Sequence, residues 1–177
     1  MTAKIHHALL AAVLAVAGCG ATSTRPAAED PYAVQVGAAG SATCLSTSAS
    51  ANATGAAATN DLRGRQGLSP VRPNAQLARV AAQHACDMAQ RGRMTHIGST
   101  TTGPGARLRA AGYQPRITAE NIAAGPFNLT RVLGEWNASP GHVANIMLPQ
   151  ISDFGIGEAI SADGRTRYWA AVYAAPR

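Results

Sequence analysis

The hydrophobic pattern of the chain changes its period along the sequence, and this change restricts the possible folds more than any other feature. Up to Trp136, apolar residues recur every three or four positions, which is typical of amphipathic helices. Near the end, they alternate with smaller residues in two runs: Phe154, Ile156 and Ile160, then Tyr168, Ala170 and Val172. With Asp163-Gly164 as a turn between them, the two runs predict an antiparallel hairpin. Helices followed by strands predict an α+β layered domain rather than a parallel βαβ sheet.

The clearest predicted helix begins after Asn74, which favours the N-cap position, and ends at Gly92. Its apolar face is formed by Leu77, Val80, Ala81, His84, Ala85 and Met88. Because His84 belongs to this stripe, we expect a hydrogen-bonded core histidine there rather than a catalytic one. Cys86 lies near the same buried face.

Three further helices are predicted with the same reasoning. An Ala-rich stretch from Ser46 to Gln66 is expected to end at Gly67, and a short helix is expected from Gly105 to Ala111. Another helix is expected to close at Pro140, which cannot donate an amide hydrogen. The apolar stripe of that helix is Leu129, Val132, Leu133 and Trp136.

The N-terminus has the features of an export signal. Lys4 precedes an uncharged run, Ala8–Gly18, that is too short to span a membrane as a mature helix. The sequence Val16-Ala17-Gly18-Cys19 resembles the bacterial lipobox, in which the cysteine is acylated and becomes the new N-terminus. We therefore expect a signal peptide over residues 1–18 and a membrane-anchored lipoprotein facing the periplasm or the cell surface. The alternative is ordinary secretion with cleavage at a nearby residue. The protein would then lack the lipid anchor but would reach the same compartment.

Cleavage before Cys19 leaves 159 of the 177 residues, which suits a single domain. Residues 19–43 are rich in small residues and are expected to be a flexible tether, with the domain over 44–177. The mature chain has 14 Arg, no Lys and 9 acidic residues, a net charge of 14 minus 9, or +5. This charge favours anionic envelope polymers and phospholipid headgroups as partners, and no nucleic-acid motif is present. A monomer is expected. An Asp directly after the lipidated cysteine would resemble an inner-membrane retention signal, but this position is Gly20. The lipoprotein could therefore lie in an inner or an outer membrane.

Two cysteines remain after Cys19 is assigned to the lipid. In an oxidising compartment, Cys44 and Cys86 allow one pairing, and we expect them to form a disulfide. Two buried free thiols are the alternative, because the sequence does not give the distance between them.

A set of short motifs runs through the chain in a recognisable order. Its members are Asn60, Arg63, Gly67-Leu68, Asn74, His84-Ala85, Met88-Ala89, His96, Arg107, Ala111-Gly112-Tyr113, Glu120-Asn121-Ile122-Ala123, Trp136, Ser139-Pro140-Gly141-His142, Asn145-Ile146 and Gly155-Ile156-Gly157. Their order and spacing resemble the CAP superfamily, the cysteine-rich secretory, antigen 5 and PR-1 proteins, in its short bacterial form. The resemblance implies an α-β-α sandwich with a central antiparallel sheet. It also implies one cleft lined by two histidines and two glutamates, whose histidine pair binds a divalent metal such as zinc in some members.

Three cleft positions carry over to this sequence. His96 matches the first histidine, Glu120 the first glutamate and His142 the second histidine, all in expected loops or element ends. Together, His96, His142 and Glu120 would make a three-ligand zinc site with an open water position. The same groups also suit a hydrogen-bonded structural cluster.

The second glutamate of the family is missing. The position three residues after Trp136 is Ser139, and Glu135 lies one helical turn before it as a candidate substitute. A second departure is Thr102, at a position before Gly103 where bacterial relatives usually carry Asp.

Two functions are consistent with these residues. The first is a non-enzymatic binding module, because many family members act by binding lipids, sterols or proteins. The second is a hydrolase of peptides or cell-wall material that uses His96, Glu120 and His142 as catalytic residues. A serine nucleophile, Ser99 or Ser139, is disfavoured because neither lies in a Gly-x-Ser-x-Gly elbow.

Overall fold

Seven strands and five helices follow one another along residues 29–177, the part of the chain that the computed structural model describes. The strands are β1 (Val34–Gln35), β2 (Thr43–Cys44), β3 (Arg72–Pro73), β4 (Arg93–Met94), β5 (Pro115–Gly125), β6 (Asp153–Ile160) and β7 (Arg167–Pro176). The helices are α1 (Ala49–Arg65), α2 (Ala75–Arg91), α3 (Pro104–Ala110), α4 (Leu129–Ala138) and α5 (Pro140–Ile146). The predicted signal peptide, the lipidation site Cys19 and the first part of the tether lie outside the described residues.

The main sheet has the strand order β2-β6-β7-β5, with antiparallel neighbours throughout. The predicted hairpin is confirmed, because β6 pairs with β7 from Asp153 opposite Ala174 to Ile160 opposite Arg167. Only the two residues of β3 join the sheet in parallel, against the start of β6. β5, which carries Glu120, pairs with β7 along nearly its whole length.

Alternate residues of β7 face two separate hydrophobic layers. Tyr168, Ala170, Val172 and Ala174 pack with α2 and α3, whereas Trp169, Ala171 and Tyr173 pack with α1, α4 and α5. Both faces of the sheet are therefore covered by helices, as expected for a strand whose apolar residues are nearly continuous. The predicted α+β fold, an α-β-α sandwich with a central antiparallel sheet, is confirmed.

Helix α2 lies unusually close to the sheet because β6 presents two glycines to it. A Cβ atom at Gly155 would overlap the backbone nitrogen of Ala78, and one at Gly157 would overlap that of Ala82. Helix and strand backbones thus meet directly, which explains why the family motif has glycine at both positions. Asn74 caps α2 through bonds to two backbone amides, and Gly92 ends it in the left-handed conformation, as predicted.

Three positions differ from the prediction. Pro140 does follow the end of α4, but it also occupies the first turn of α5, where its missing amide hydrogen is not needed. Glu120 lies in the middle of a strand rather than in a loop or at an element end, and His142 lies within α5.

The chain also contacts the domain earlier than the expected boundary at residue 44. Residues 30–40, which we call the strap, follow the C-terminal end of α2. The amides of Val36 and Gly37 donate to the Gly92 carbonyl at 2.9 and 3.0 Å, and β1 pairs with β4. Residues 19–28 of the tether lie outside the described part of the chain.

Cys44 on β2 and Cys86 on α2 form a disulfide, with 5.1 Å between their Cα atoms, which confirms the expected pairing. It joins the edge of the sheet to the α2 layer. Within residues 29–177, none of the helices is long and apolar enough to cross a bilayer.

Candidate functional site

Glu120 is the centre of the site. Its side chain is 1% exposed, and its Oε1 lies 2.9 Å from Nδ1 of His96. The guanidinium of Arg107 binds the other carboxylate oxygen, Oε2. Both oxygens therefore already have strong partners inside the protein, as a buried carboxylate requires.

Arg107 reaches the site from α3 and connects two of its members. Besides binding Glu120, its Nη1 donates to the backbone carbonyl of His96 at 2.9 Å. The sequence shows Arg107 as a motif residue but gives it no role. Arg109 on the same short helix is exposed, and sequence alone does not show which of the two faces inward.

His84 is buried, as predicted, and it also adjoins the carboxylate. Its Nε2 lies 2.8 Å from the carbonyl of Thr95, so the neutral ring carries its proton on that nitrogen. The same nitrogen is 3.7 Å from Oε1 of Glu120. Burial lowers the pKa of His84 from 6.5 to about 4, so the ring is neutral at pH 7.

The environment keeps Glu120 ionised. Burial alone raises its pKa, but the charge of His84 when protonated, the hydrogen bond from His96 and the Arg107 guanidinium together hold the pKa below 4.5. Because His84 is neutral near pH 7, Arg107 provides the lasting positive charge at that pH. A general acid or base working near neutrality would instead need a raised carboxyl pKa.

His142 is brought to this cluster by α5. Nδ2 of Asn121, the neighbour of Glu120 on β5, lies 3.3 Å from the His142 carbonyl, and Asn145 donates to the Glu120 carbonyl at 3.1 Å. The rings of Trp136 and His142 lie 6.4 Å apart between centroids. Burial and, secondly, repulsion from a charged His96 lower the pKa of His142. The bonds of Asn121 and Asn145 place α5, which carries His142, against the strand that carries Glu120.

A buried arginine holds the far end of α5. Arg63 on α1 is fully buried, and its Nη1 donates to the carbonyls of Ile146 and Leu148 at 2.7 and 2.8 Å. Cations at the C-terminus of a helix satisfy its free carbonyls and its dipole. Arg63 therefore fixes the short helix that carries His142.

The strap contributes a residue that the sequence did not indicate. Oδ2 of Asp30 accepts a hydrogen bond from the hydroxyl of Thr95 at 2.7 Å and from the backbone amide of His96 at 2.5 Å. Burial raises the pKa of Asp30, but the hydrogen bonds from Thr95, Tyr32 and His96 outweigh it and hold the pKa below 3.8. Asp30 thereby clamps the loop that presents His96.

Glu135, a candidate substitute for the missing glutamate, lies elsewhere. Glu135 is on the exposed face of α4, where its side chain is 51% exposed and pairs with Arg131, so it is not a cleft residue. The reason is that α4 turns Val132, Leu133 and Trp136 inward. Ser139 joins α4 to α5, and its backbone carbonyl accepts from Val143. Thr102 precedes Gly103, and α3 has no side-chain cap there.

The donor atoms do not fit a three-ligand zinc centre. Both oxygens of Glu120 are already held by His96 and Arg107, and a guanidinium against a carboxylate competes with a cation. Among residues 29–177, no three His, Cys, Asp or Glu side chains are grouped so that they could hold one metal ion. A site built from His96 and His142 without Glu120 stays a prediction.

Comparisons with known proteins agree with the fold. YkwD of Bacillus subtilis, described as an uncharacterized protein, is 30% identical over 99 residues, 56% of this chain and 38% of that protein. The chain thus spans less than half the length of this relative. An extracellular protein containing an SCP domain from Bacillus anthracis has a TM-score of 0.61 and 26% identity over 71% of this chain and 40% of that one. An outer surface protein from Borrelia burgdorferi, at 19% identity, has a TM-score of 0.64 over 74% of this chain and 96% of that one, a likeness of fold alone.

A family model of the cysteine-rich secretory protein family, CAP, matches residues 56–173, which are 118 of the 177 positions. The matched segment begins in α1, ends in β7 and contains His96, Arg107, Glu120 and His142. The chain belongs to the CAP family of cysteine-rich secretory proteins.

Proposed function

We propose that this chain is an exported, lipid-anchored CAP-domain protein of the bacterial cell envelope that acts by binding rather than by catalysis. Three observations support export: the leader sequence over residues 1–18, the Cys44–Cys86 disulfide, which suits an oxidising compartment, and the extracellular location named for the Bacillus anthracis relative. The lipobox around Cys19 supports the anchor.

The state of Glu120 carries the binding proposal. A catalytic carboxylate has to approach a substrate and exchange a proton, but Glu120 is 1% exposed and fully occupied by Arg107 and His96. It works as the internal support of the cluster. What remains for an outside molecule is the surface of the two histidines, of which His96 is 33% exposed.

The proposed ligands follow from the charge of the protein. With a net charge of +5 after cleavage, the domain attracts anionic envelope polymers and lipid headgroups. His96 and His142 add imidazole nitrogens that can form hydrogen bonds with such ligands.

The anchor is tested separately from the ligand. In the Cys19→Ser protein, we expect the chain to leave the membrane fraction, since the acyl group is the expected apolar attachment. Retention of the variant with membranes after a high-salt wash would contradict the anchor.

Binding and catalysis are separated by two assays on the full mature protein. We expect co-sedimentation with purified peptidoglycan, weakened in the His96→Ala, His142→Ala double variant, and no turnover of peptidoglycan or casein. The matched control is His84→Gln, which alters a buried imidazole in the same cluster and leaves the two histidine donors in place.

A hydrolase remains the second candidate because of one contact. The 2.9 Å bond between His96 and Glu120 places a carboxylate on an imidazole, which is how hydrolases orient a histidine base. Turnover that is lost in the His96→Ala variant, or lost on adding a chelator, would establish this function in place of pure binding.

A further inference from the structure

Exposed apolar side chains are concentrated in one place on the surface. Among residues 29–177, the exposed large hydrophobic side chains are Tyr32 at 74%, Val34 at 50% and Val36 at 38%. Single exposed apolar residues are common on soluble proteins and need no explanation. Three of them within five consecutive residues, with none elsewhere in the described part of the chain, form a distinct apolar patch on the strap.

The patch is held firmly to the domain. Tyr32 is preceded by Asp30, which binds Thr95 and His96, and Val34 pairs with Met94 across the β1–β4 ladder. The side chain of Gln35 also donates to the Gly92 carbonyl at 3.1 Å. The apolar side chains therefore stand out from an anchored segment and not from a loose end.

The position of the strap indicates what covers this patch. Cys19, the predicted lipid attachment, is only 13 positions before Tyr32. Thirteen residues span at most about 45 Å even when fully extended, so the strap is the part of the described domain nearest to Cys19 along the chain. Tyrosine is also enriched at membrane interfaces, where its ring is apolar and its hydroxyl meets water.

We propose that the strap is a membrane-contacting surface, in which Tyr32, Val34 and Val36 enter the headgroup region of the bilayer to which Cys19 is anchored. This inference rests on the lipid anchor of the proposed function. The anchor keeps the domain at a high local concentration near the membrane, so a patch of three side chains is enough for contact. A second copy of the chain is a poorer occupant, because a stable protein interface buries about 800 Å² on each partner, far more than one Tyr and two Val side chains present.

Membrane contact through the strap also places the candidate site. Asp30 bonds directly to the amide of His96, so the strap and the His96 loop are fixed to each other. The loop that presents His96 then lies next to the membrane-contacting strap.

Tryptophan fluorescence of the lipidated full-length protein in vesicles tests this proposal. The native tryptophans, Trp136 and Trp169, are 1% and 4% exposed, so lipid quenchers should not reach them. Their emission therefore provides the baseline. In Tyr32→Trp, we expect quenching by lipids that carry a nitroxide on the headgroup in anionic vesicles, together with a blue shift of the emission.

The control is Gln150→Trp. Gln150 is exposed and lies shortly before the first residue of β6. The strap lies near the opposite end of β6, because its Gly40 approaches Ala162, which follows the last residue of that strand. A tryptophan at position 150 should be quenched no more than the wild type. Adding Val34→Ser and Val36→Ser to Tyr32→Trp should reduce the quenching while flotation with vesicles stays unchanged.

Two failures of this experiment have different meanings. A protein that does not float with vesicles contradicts the anchor. A protein that floats, but in which the Tyr32→Trp variant is quenched no more than the Gln150→Trp control, contradicts the membrane-contacting strap. Self-association of the floated protein that is lost with Val34→Ser and Val36→Ser, without quenching in Tyr32→Trp, would identify a second copy as the occupant and overturn the proposal.

Discussion

Glu120 on β5 and Arg107 on α3 form an ion pair in which both side chains are at least nine-tenths buried. The same guanidinium donates to the backbone of His96, so one arginine joins the carboxylate to the histidine loop. This pairing makes Glu120 a support for the site and leaves the histidines as its contact groups.

Removal of Arg107 should destabilise the domain strongly. In Arg107→Met, Glu120 keeps its burial but loses its permanent counter-charge, and breaking such a pair typically costs about 3 to 5 kcal/mol. Urea denaturation should show this loss, and Arg109→Met, on the exposed side of the same helix, should change stability by less than about 0.5 kcal/mol. Equal stabilities of the two variants would contradict the assigned role of Arg107. Glu120→Gln added to Arg107→Met should recover part of the loss.

Stability should fall as the pH drops from 6.5 toward 4, because of His84. Its pKa is about 4 in the folded protein against 6.5 ordinarily, so in this window the unfolded chain binds a proton that the folded one does not. Stability then decreases with decreasing pH, by up to about 3 kcal/mol for an isolated group. His84 and Glu120 interact, so the observed midpoints belong to the pair.

Thermal denaturation at a series of pH values measures this effect. His84→Gln should flatten the dependence between pH 6.5 and 4, since the amide can still donate to Thr95 but does not titrate. A further loss below pH 4.5 should remain, because the Glu120 carboxyl of the unfolded chain then binds a proton that the folded domain, with its lowered pKa, does not. An unchanged slope in His84→Gln would show that another group is responsible.

Reduction of the Cys44–Cys86 disulfide should lower the melting temperature. The bond closes a loop with a sequence separation of 42, and such bonds contribute about 2 to 4 kcal/mol. Calorimetry with and without a phosphine reductant measures the change, and a Cys44→Ser, Cys86→Ser variant should be insensitive to the reductant. Two alkylated thiols in the unreduced protein, detected by mass spectrometry, would be incompatible with the bond.

Asp30 should protect the amide of His96 from hydrogen exchange. In Asp30→Ala, this amide loses its acceptor at 2.5 Å, and exchange measured by NMR should become faster at His96. Asp163→Ala is the matched control, since Asp163 accepts from backbone amides only within its own exposed turn. Equal exchange at His96 in the two variants would mean that the strap does not hold the loop.

The sequence predicted the regular parts of the fold because each had a local signal. Asn74 and Gly92 marked the start and the end of α2, and the period-two pattern located β6 and β7. β5 was not predicted, since it is buried on both faces and carries the polar pair Glu120 and Asn121 in its interior, so neither alternation nor an apolar run appears.

The sequence identified three residues of the site but not the contacts that hold them in place. Motif order identified His96, Glu120 and His142, whereas the carboxylate partner Arg107 and the clamp Asp30 depend on contacts across 13 and 66 positions of the chain. Composition made residues 30–40 look like part of a tether, because β1 has only two residues and its bonding partners lie at and just after the end of α2. Such long-range contacts leave no periodic trace in the sequence.

The most direct test is the ionisation of Glu120 itself, followed through its side-chain carboxyl carbon by NMR during an acid titration. We expect this carboxylate to titrate in the folded domain with a midpoint below 4.5. A midpoint above 4.5, in the range expected of a general acid, would contradict the supporting role of Glu120 and favour the hydrolase.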